Sequence, residues 1–285
     1  MPRPRVVNVQ LPPEEEIFYS EYAISILAEG DSWFAWSQLN LVPSSNILEQ
    51  LDFDEKALVV NYAYSGDTIR RMSSFFDNGA FFIEMRSQPY NAILLSGGGN
   101  DVIDALYDYQ ADSPLIIKRS DDGHGDDPNS YVDVDALNAL CAYVTANFQQ
   151  IFNYRTQGPA ANKHTPIILH TYDYMTPRDA PALFMHNRAR GPWLFRALMQ
   201  VGAPSALYQD IAKIIIDTLA ETLLNLANPA ELIYVVDTRG LLTPAVPGTT
   251  AHSNDWINEI HPDTSGYTRL AWRIGEELER IGVVV

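Results

Sequence analysis

Four groups of residues in this chain have the types and placement to do chemistry together. Ser32 follows Gly30 and Asp31 at the end of a short apolar run. A serine at a strand-to-helix turn presents its hydroxyl above a sheet, but a hydroxyl is a weak nucleophile until a base takes its proton. His261, in the stretch DWINEIHP, has the side chain with suitable basicity near neutral pH. Gly66 lies in YSGDT after a second apolar run, and Asn100 in GGGND after a third. A glycine lets its backbone N–H point into a cleft, and an asparagine offers an NH2 donor. The N–H groups of Ser32 and Gly66 and the amide of Asn100 are therefore candidates for a three-donor oxyanion hole. Each group has a plainer alternative. Asp31 or Ser32 can cap a helix, the three glycines can serve a tight turn or a phosphate cradle, and a lone histidine before a helix is usually structural. No GxGxxG follows the first strand, so a dinucleotide site is a poor reading.

These residues need elements that bring them to one place. Residues 24–28 (ISILA), 57–62 (ALVVNY), 92–95 (AILL), 167–170 (IILH) and 232–236 (LIYVV) are short, continuous apolar runs, as expected of strands buried on both faces of a parallel sheet. Helical periodicity fills the gaps over 133–152, over 207–226 behind Pro204, and over 265–280 with Leu270, Ile274 and Leu278 on one face. A further helix is expected over 36–51, interrupted at Pro43. This alternation predicts a doubly wound α/β sandwich whose ligands bind at the carboxyl ends of the strands, which is where three of the four groups fall.

Composition narrows the partners. The chain has 285 residues, 46% of them hydrophobic and 19% charged, with 19 basic against 36 acidic residues for a net charge of −17. That is globular composition. It lacks the basic stripe that nucleic acid requires, and it disfavours adhesion to anionic lipid. No run of about 18 apolar residues is present to span a membrane. Arg3 and Arg5 are followed by prolines and glutamates in place of an apolar segment, so no signal peptide is visible and a cytoplasmic location is expected. The single cysteine, Cys141, reads as a small core residue in a helix. Residues 119–130 (RSDDGHGDDPNS) read as a solvated loop, with a mobile flap or a hard-cation site as lesser readings.

The set GDSW, SGD, GGND and a late histidine followed by proline, in that order, resembles the SGNH hydrolase superfamily, the GDSL-type esterases. The resemblance runs from Ile24 to about Leu278. It implies a flavodoxin-like three-layer α/β/α sandwich with a mostly parallel five-stranded sheet, formed by 1–285 as a single domain. Residues 1–20 are then an N-terminal extension, and 176–202 an aromatic- and arginine-rich insertion near the site. It also implies a serine esterase that needs no cofactor or metal, with Ser32 as nucleophile, His261 as base, and Ser32, Gly66 and Asn100 as the oxyanion hole. Trp33 stands where the family usually has leucine, and an aromatic wall near the pocket is one consequence.

The second departure is larger. Where the family has an aspartate three residues before the histidine, this chain has Asn258. A neutral asparagine can orient an imidazole but stabilises the imidazolium less than a carboxylate does. Asp255 is the first candidate for the missing acid, if the loop folds back. Glu259 is the second. The third reading has no side-chain acid, with a backbone carbonyl near Asn258 or a Ser–His dyad in its place. His252, Asp255, Glu259 and His261 also admit a metal cluster, which no recognisable ligand spacing supports. His170, followed by Tyr172, Asp173 and Tyr174, reads as a framework histidine or a lining residue of the cleft. The aromatics Trp33, Phe34, Trp36, Tyr62, Tyr64, Tyr172, Tyr174, Phe184, Trp193 and Phe195, with Met175 and Met185, suit an acyl chain or a sugar face as well as ordinary core. Arg178, Arg188, Arg190 and Arg196 offer a place for an anionic substrate group or pair with surface acids. The expected partner is a small-molecule ester or lipid: a small or medium-chain ester, a lysophospholipid or an acetylated sugar. A non-catalytic binding module that retains the fold is the rival reading.

Overall fold

The computed structural model describes residues 2–9, 17–35, 45–106, 115–119, 125–157, 160–184 and 188–284. The expected features at Trp36, Pro43 and Met185, and part of the 119–130 loop, lie outside the described residues.

The strands of the main sheet are β1 (Arg5–Asn8), β2 (Ile24–Gly30), β3 (Ala57–Asn61), β4 (Ala92–Ser96), β5 (Ile167–His170) and, last in the chain, β8 (Ile233–Val236). All pair in parallel, in the order β1-β3-β2-β4-β5-β8. β6 (Ala182–Phe184) and β7 (Arg188–Arg190) form a separate antiparallel ribbon within the 176–202 insertion. The helices are α1 (Ser32–Ala35), α2 (Ile47–Gln50), α3 (Ile69–Ser73), α4 (Gly79–Ser87), α5 (Gly99–Asp104), α6 (Val134–Thr156), α7 (Leu194–Gln200), α8 (Tyr208–Leu224) and α9 (Thr264–Arg280). α9 packs on α2, whereas α6 gathers α3, α4, α5 and α8, and the helices flank the sheet as the outer layers of a three-layer α/β/α fold.

Every residue of β3, β4 and β5 is buried, which is why these strands read as unbroken apolar runs. The sheet has six strands, not five. β1 falls in the segment taken for an N-terminal extension. Its four residues are all half-buried at the edge of the sheet, so it lacks the continuous apolar run that marks the central strands. α6 starts at Asp133, whose side chain accepts the Ala136 N–H, and Cys141 is buried in it. No helix among the described residues is long and apolar enough to cross a membrane.

The order of strands reverses at β2, which has β3 on one side and β4 on the other. A crevice opens at such a switch point, beyond the carboxyl ends of the strands. Gly30 ends β2 directly beside Ser96 at the end of β4. A Cβ on Gly30 would lie 2.8 Å from the Ser96 Cβ and carbonyl oxygen, so only glycine allows the two strand ends this close.

Candidate active site

Three turns leave the sheet at this switch point, and backbone and side-chain bonds tie them together. Asp31 N–H donates to Ser96 O, Tyr64 N–H donates to Gly30 O, and Asn100 Nδ2 donates to Asp67 O at 2.9 Å. The GDSW, SGD and GGND turns therefore have fixed positions relative to one another. Gly66 adopts a left-handed φ of 91° and is exposed. Asn100 is half-buried beside Ser32 in the lining of one cleft, and one bond to Asp67 leaves its amide a second hydrogen.

Asp31 does the local structural work of the first turn. Its carboxylate accepts the Trp33 N–H, the Ser96 hydroxyl and the Tyr172 hydroxyl. The capping reading of the GDS triplet thus holds for Asp31, and it leaves the Ser32 hydroxyl available. Burial pushes the Asp31 carboxyl up to about 6 against these bonds. Tyr172 brings the end of β5 onto the same carboxylate.

Ser32 Oγ lies 2.9 Å from His261 Nε2. The histidine arrives from the other end of the chain, on the loop ahead of α9. That loop folds as a narrow ribbon: Asp263 N–H donates to Asp255 O, Trp256 pairs with Pro262, and Ile257 N–H donates to His261 O. Asp263 then caps α9 by accepting the Gly266 N–H at 2.8 Å. Asn258 sits in the turn of the ribbon. Its Oδ1 accepts the backbone N–H groups of Ile260 and His261 and lies 3.0 Å from His261 Nδ1. Two backbone donors must face an oxygen, so the amide orientation of Asn258 is fixed by its partners. Nδ1 of His261 therefore carries a proton, and Nε2 is free to accept one from Ser32. Burial holds the His261 ring at about 3, far on the neutral side.

Asp255, the first candidate for the acid, is not at the histidine. It stands at the base of the ribbon, where its Oδ2 accepts the Thr243 N–H at 2.7 Å and pairs with Arg269 at 3.2 Å. The ribbon register explains this: Asp255 is opposite Asp263, and only the turn residue can reach back under His261. Glu259 points elsewhere too. It is fully buried, and its two oxygens accept the N–H groups of Trp193 and Phe195 at the start of α7. His252 pairs with Asp263, so the four residues of the metal reading are each engaged separately.

Sequence reasoning missed what holds the ribbon. Arg178 has no exposed surface, and its guanidinium donates to the carbonyls of Ala251, Trp256 and Asn258. An arginine read as a possible anion site is a framework residue that fixes the backbone of Asn258. Trp33 crosses from the other side: its Nε1 donates to Ile260 O at 3.2 Å, and its ring stacks on His170. The residue that departs from the leucine pattern thus links the nucleophile turn to the histidine loop. His170 donates through Nδ1 to Thr171 O and lies buried under Trp33 and Phe34, away from the cleft. A buried arginine inside a polar-looking insertion carries no periodic signal, so only tertiary structure reveals it.

The cleft beside Ser32 and Asn100 is lined by Val102, Ile103, Met175, Ile216, Leu219 and Trp256, among others. It has a cavity volume of about 40 Å³. Its walls come from α5, α8 and the loops after β5 and β8.

No protein-family model and no curated protein matches the sequence. Solved structures do match. A lipase from a goat rumen metagenome is 14% identical, with 92% of this chain and 99% of that chain covered and a TM-score of 0.54. The chain shares the fold of that lipase, with a mostly parallel six-stranded sheet between helical layers. A possible lipase from Chitinophaga pinensis is also 14% identical, covering 91% and 99% of the two chains at a TM-score of 0.48. A catalytic mutant of an acetylxylan esterase from Geobacillus stearothermophilus is 15% identical, covering 92% and 97% at 0.46. On this fold, the described residues place Ser32, Asn100, Asn258 and His261 around one crevice, with the SGD turn bonded to Asn100.

Proposed function

We propose that this protein is a serine esterase that hydrolyses carboxylic esters of small molecules through an acyl-enzyme on Ser32. The observation that carries the reading is the relay Ser32 Oγ–His261 Nε2 at 2.9 Å with His261 Nδ1–Asn258 Oδ1 at 3.0 Å. Ser32 attacks the ester carbonyl as Nε2 accepts its proton. The oxyanion forms facing the N–H groups of Ser32 and Gly66 and the Asn100 amide. His261 then returns the proton to the leaving alcohol, and water repeats the sequence on the acyl group. Asn258 orients the ring and fixes its tautomer without supplying a charge. The likeness in fold to a lipase supports ester chemistry.

The acyl side is short. The space beside Ser32 is narrow, about 40 Å³ against roughly 10–15 Å³ for one water, which favours an acetyl or propionyl group over a fatty chain. Ser32→Ala tests the reading: turnover of a short-chain ester should fall to the background rate while the far-UV spectrum stays unchanged. Residual activity above about 1% of the native rate contradicts a nucleophilic Ser32. The neutral Asn258 favours one rival, a binding module that retains the fold. That rival predicts no turnover by the native chain on any ester.

A further inference from the structure

Trp193 packs beside His261, outside the lining of the acyl cavity. Its ring centroid is 6.4 Å from that of His261, with the planes at 73°. Ser32 and Asn100 line the acyl cavity, and Trp193 does not. His261 delivers its proton to the departing alcohol, so a side chain beside His261 and away from the acyl cavity lies where that alcohol leaves.

The indole is held in place by two independent features. Glu259, fully buried one turn-residue from Asn258, accepts the Trp193 backbone N–H and thereby fixes the start of α7. Gly191, with φ of 80°, backs the ring. A Cβ there would lie 2.5, 2.7 and 2.8 Å from three adjacent atoms of the six-membered ring. Near-equal distances to three adjacent ring atoms put that glycine over a face of the indole, and any other residue would push the ring away. Trp193 itself remains half-buried, and its Nε1–H makes no hydrogen bond among the described residues. The result is a pre-positioned flat surface whose edge carries a donor that no described residue uses, next to the group that protonates the leaving oxygen.

Resting on the esterase reading above, we propose that Trp193 forms the wall for the leaving alcohol and selects esters of ring-shaped, hydroxyl-bearing alcohols. The C–H face of a saturated ring lies against the indole, and a ring hydroxyl accepts from Nε1. A linear alcohol of equal carbon count gains neither contact fully. Glu259 and Gly191 are positioning residues for this wall.

The test compares kcat/KM for three acetates: n-hexyl acetate, cyclohexyl acetate and a methyl glucopyranoside monoacetate. The acyl group is constant, and the first two alcohols have equal carbon count. The native chain should favour both ring esters over the linear one. Trp193→Ala should lower the ring-to-linear ratio about fivefold to tenfold, the scale of an aromatic contact. Trp193→Phe should retain part of the cyclohexyl preference and lose more of the sugar preference, because it keeps a face and removes the donor. Gly191→Ala, which displaces the ring without deleting it, should lower the ratio as well. An unchanged ratio in Trp193→Ala overturns the proposal, as does an equal loss on all three esters, which would place the effect on His261. A loss confined to cyclohexyl acetate overturns the hydroxylated-ring assignment. Failure of the esterase reading looks different: no ester is turned over, and no phosphonate adduct forms on Ser32.

Discussion

The side-chain oxygen of Asn258 accepts three N–H groups at once, from Ile260, from the His261 backbone and from His261 Nδ1. In a charged triad, an asparagine in the acid position can turn its amide nitrogen to the histidine and force the wrong tautomer, at a cost of about 10⁴ in kcat. Here the two backbone donors hold the oxygen toward the ring. The orientation of the base survives, and only the charge that would stabilise an imidazolium is missing.

That separation predicts the effect of restoring the charge. Asn258→Asp keeps an acceptor for all three N–H groups and adds a carboxylate 3 Å from the ring. A neighbouring opposite charge favours the protonated imidazole by about one to three pH units. The acid limb of kcat/KM, which unfolding sets in the native chain, should then be set by His261 and lie at higher pH, and kcat at neutral pH should rise about tenfold. Asp255→Asn should leave the limb where it is and lower the melting temperature, because its carboxylate serves Thr243 and Arg269.

The pH dependence of the native chain follows from the buried ring. Burial holds His261 at about 3 against an ordinary value of 6.5. The unfolded chain takes up this proton near 6.5 and the folded chain only near 3. The stability that comes from a neutral His261 is therefore complete above 6.5 and is lost as the pH falls toward 3. His170, pushed down to about 4 by burial, adds a loss of the same sign. The kcat/KM profile should show no inflection near 6.5, and activity at acid pH should end with unfolding, read by circular dichroism on the same samples.

Removal of one oxyanion donor tests the second turn. Asn100→Ala should lower kcat roughly 100-fold with little change in KM, the effect of losing a donor used only in the transition state. Its bond to Asp67 O is also lost, so a thermal melt on the same variant separates the two consequences.

The acyl cavity makes a prediction about chain length. With Ile216 and Leu219 in its lining, kcat/KM should drop at least about tenfold between propionyl and hexanoyl esters, since a few misplaced methylenes cost about 1–3 kcal/mol. Leu219→Ala opens the wall and should raise the hexanoyl rate relative to acetyl.

The sequence carried β2, β3, β4, β5 and the edge strand β8, and the long helices, almost to their ends, because the inner strands are buried on both faces and must be apolar, and α9 must keep one apolar face. It did not carry β1, whose four residues are half-buried at an edge between arginines and prolines. Ser32, Gly66, Asn100 and His261 could be proposed as a set from the sequence, since each follows a recognisable strand or precedes a helix, and the structure brings Ser32 within 2.9 Å of His261. The partner of the histidine was not legible. Choosing among Asp255, Asn258 and Glu259 depends on the register of a ribbon only three residue pairs long, and nothing local sets that register. Arg178, from a distant loop, and Trp33 set it.

The most direct test is intact-mass spectrometry after incubation with a fluorophosphonate, on the native chain and on Ser32→Ala. An activated serine beside His261 predicts a single adduct on the native chain and none on the variant. No adduct on folded native protein, or an adduct that persists in Ser32→Ala, would contradict the assignment of Ser32 as the nucleophile.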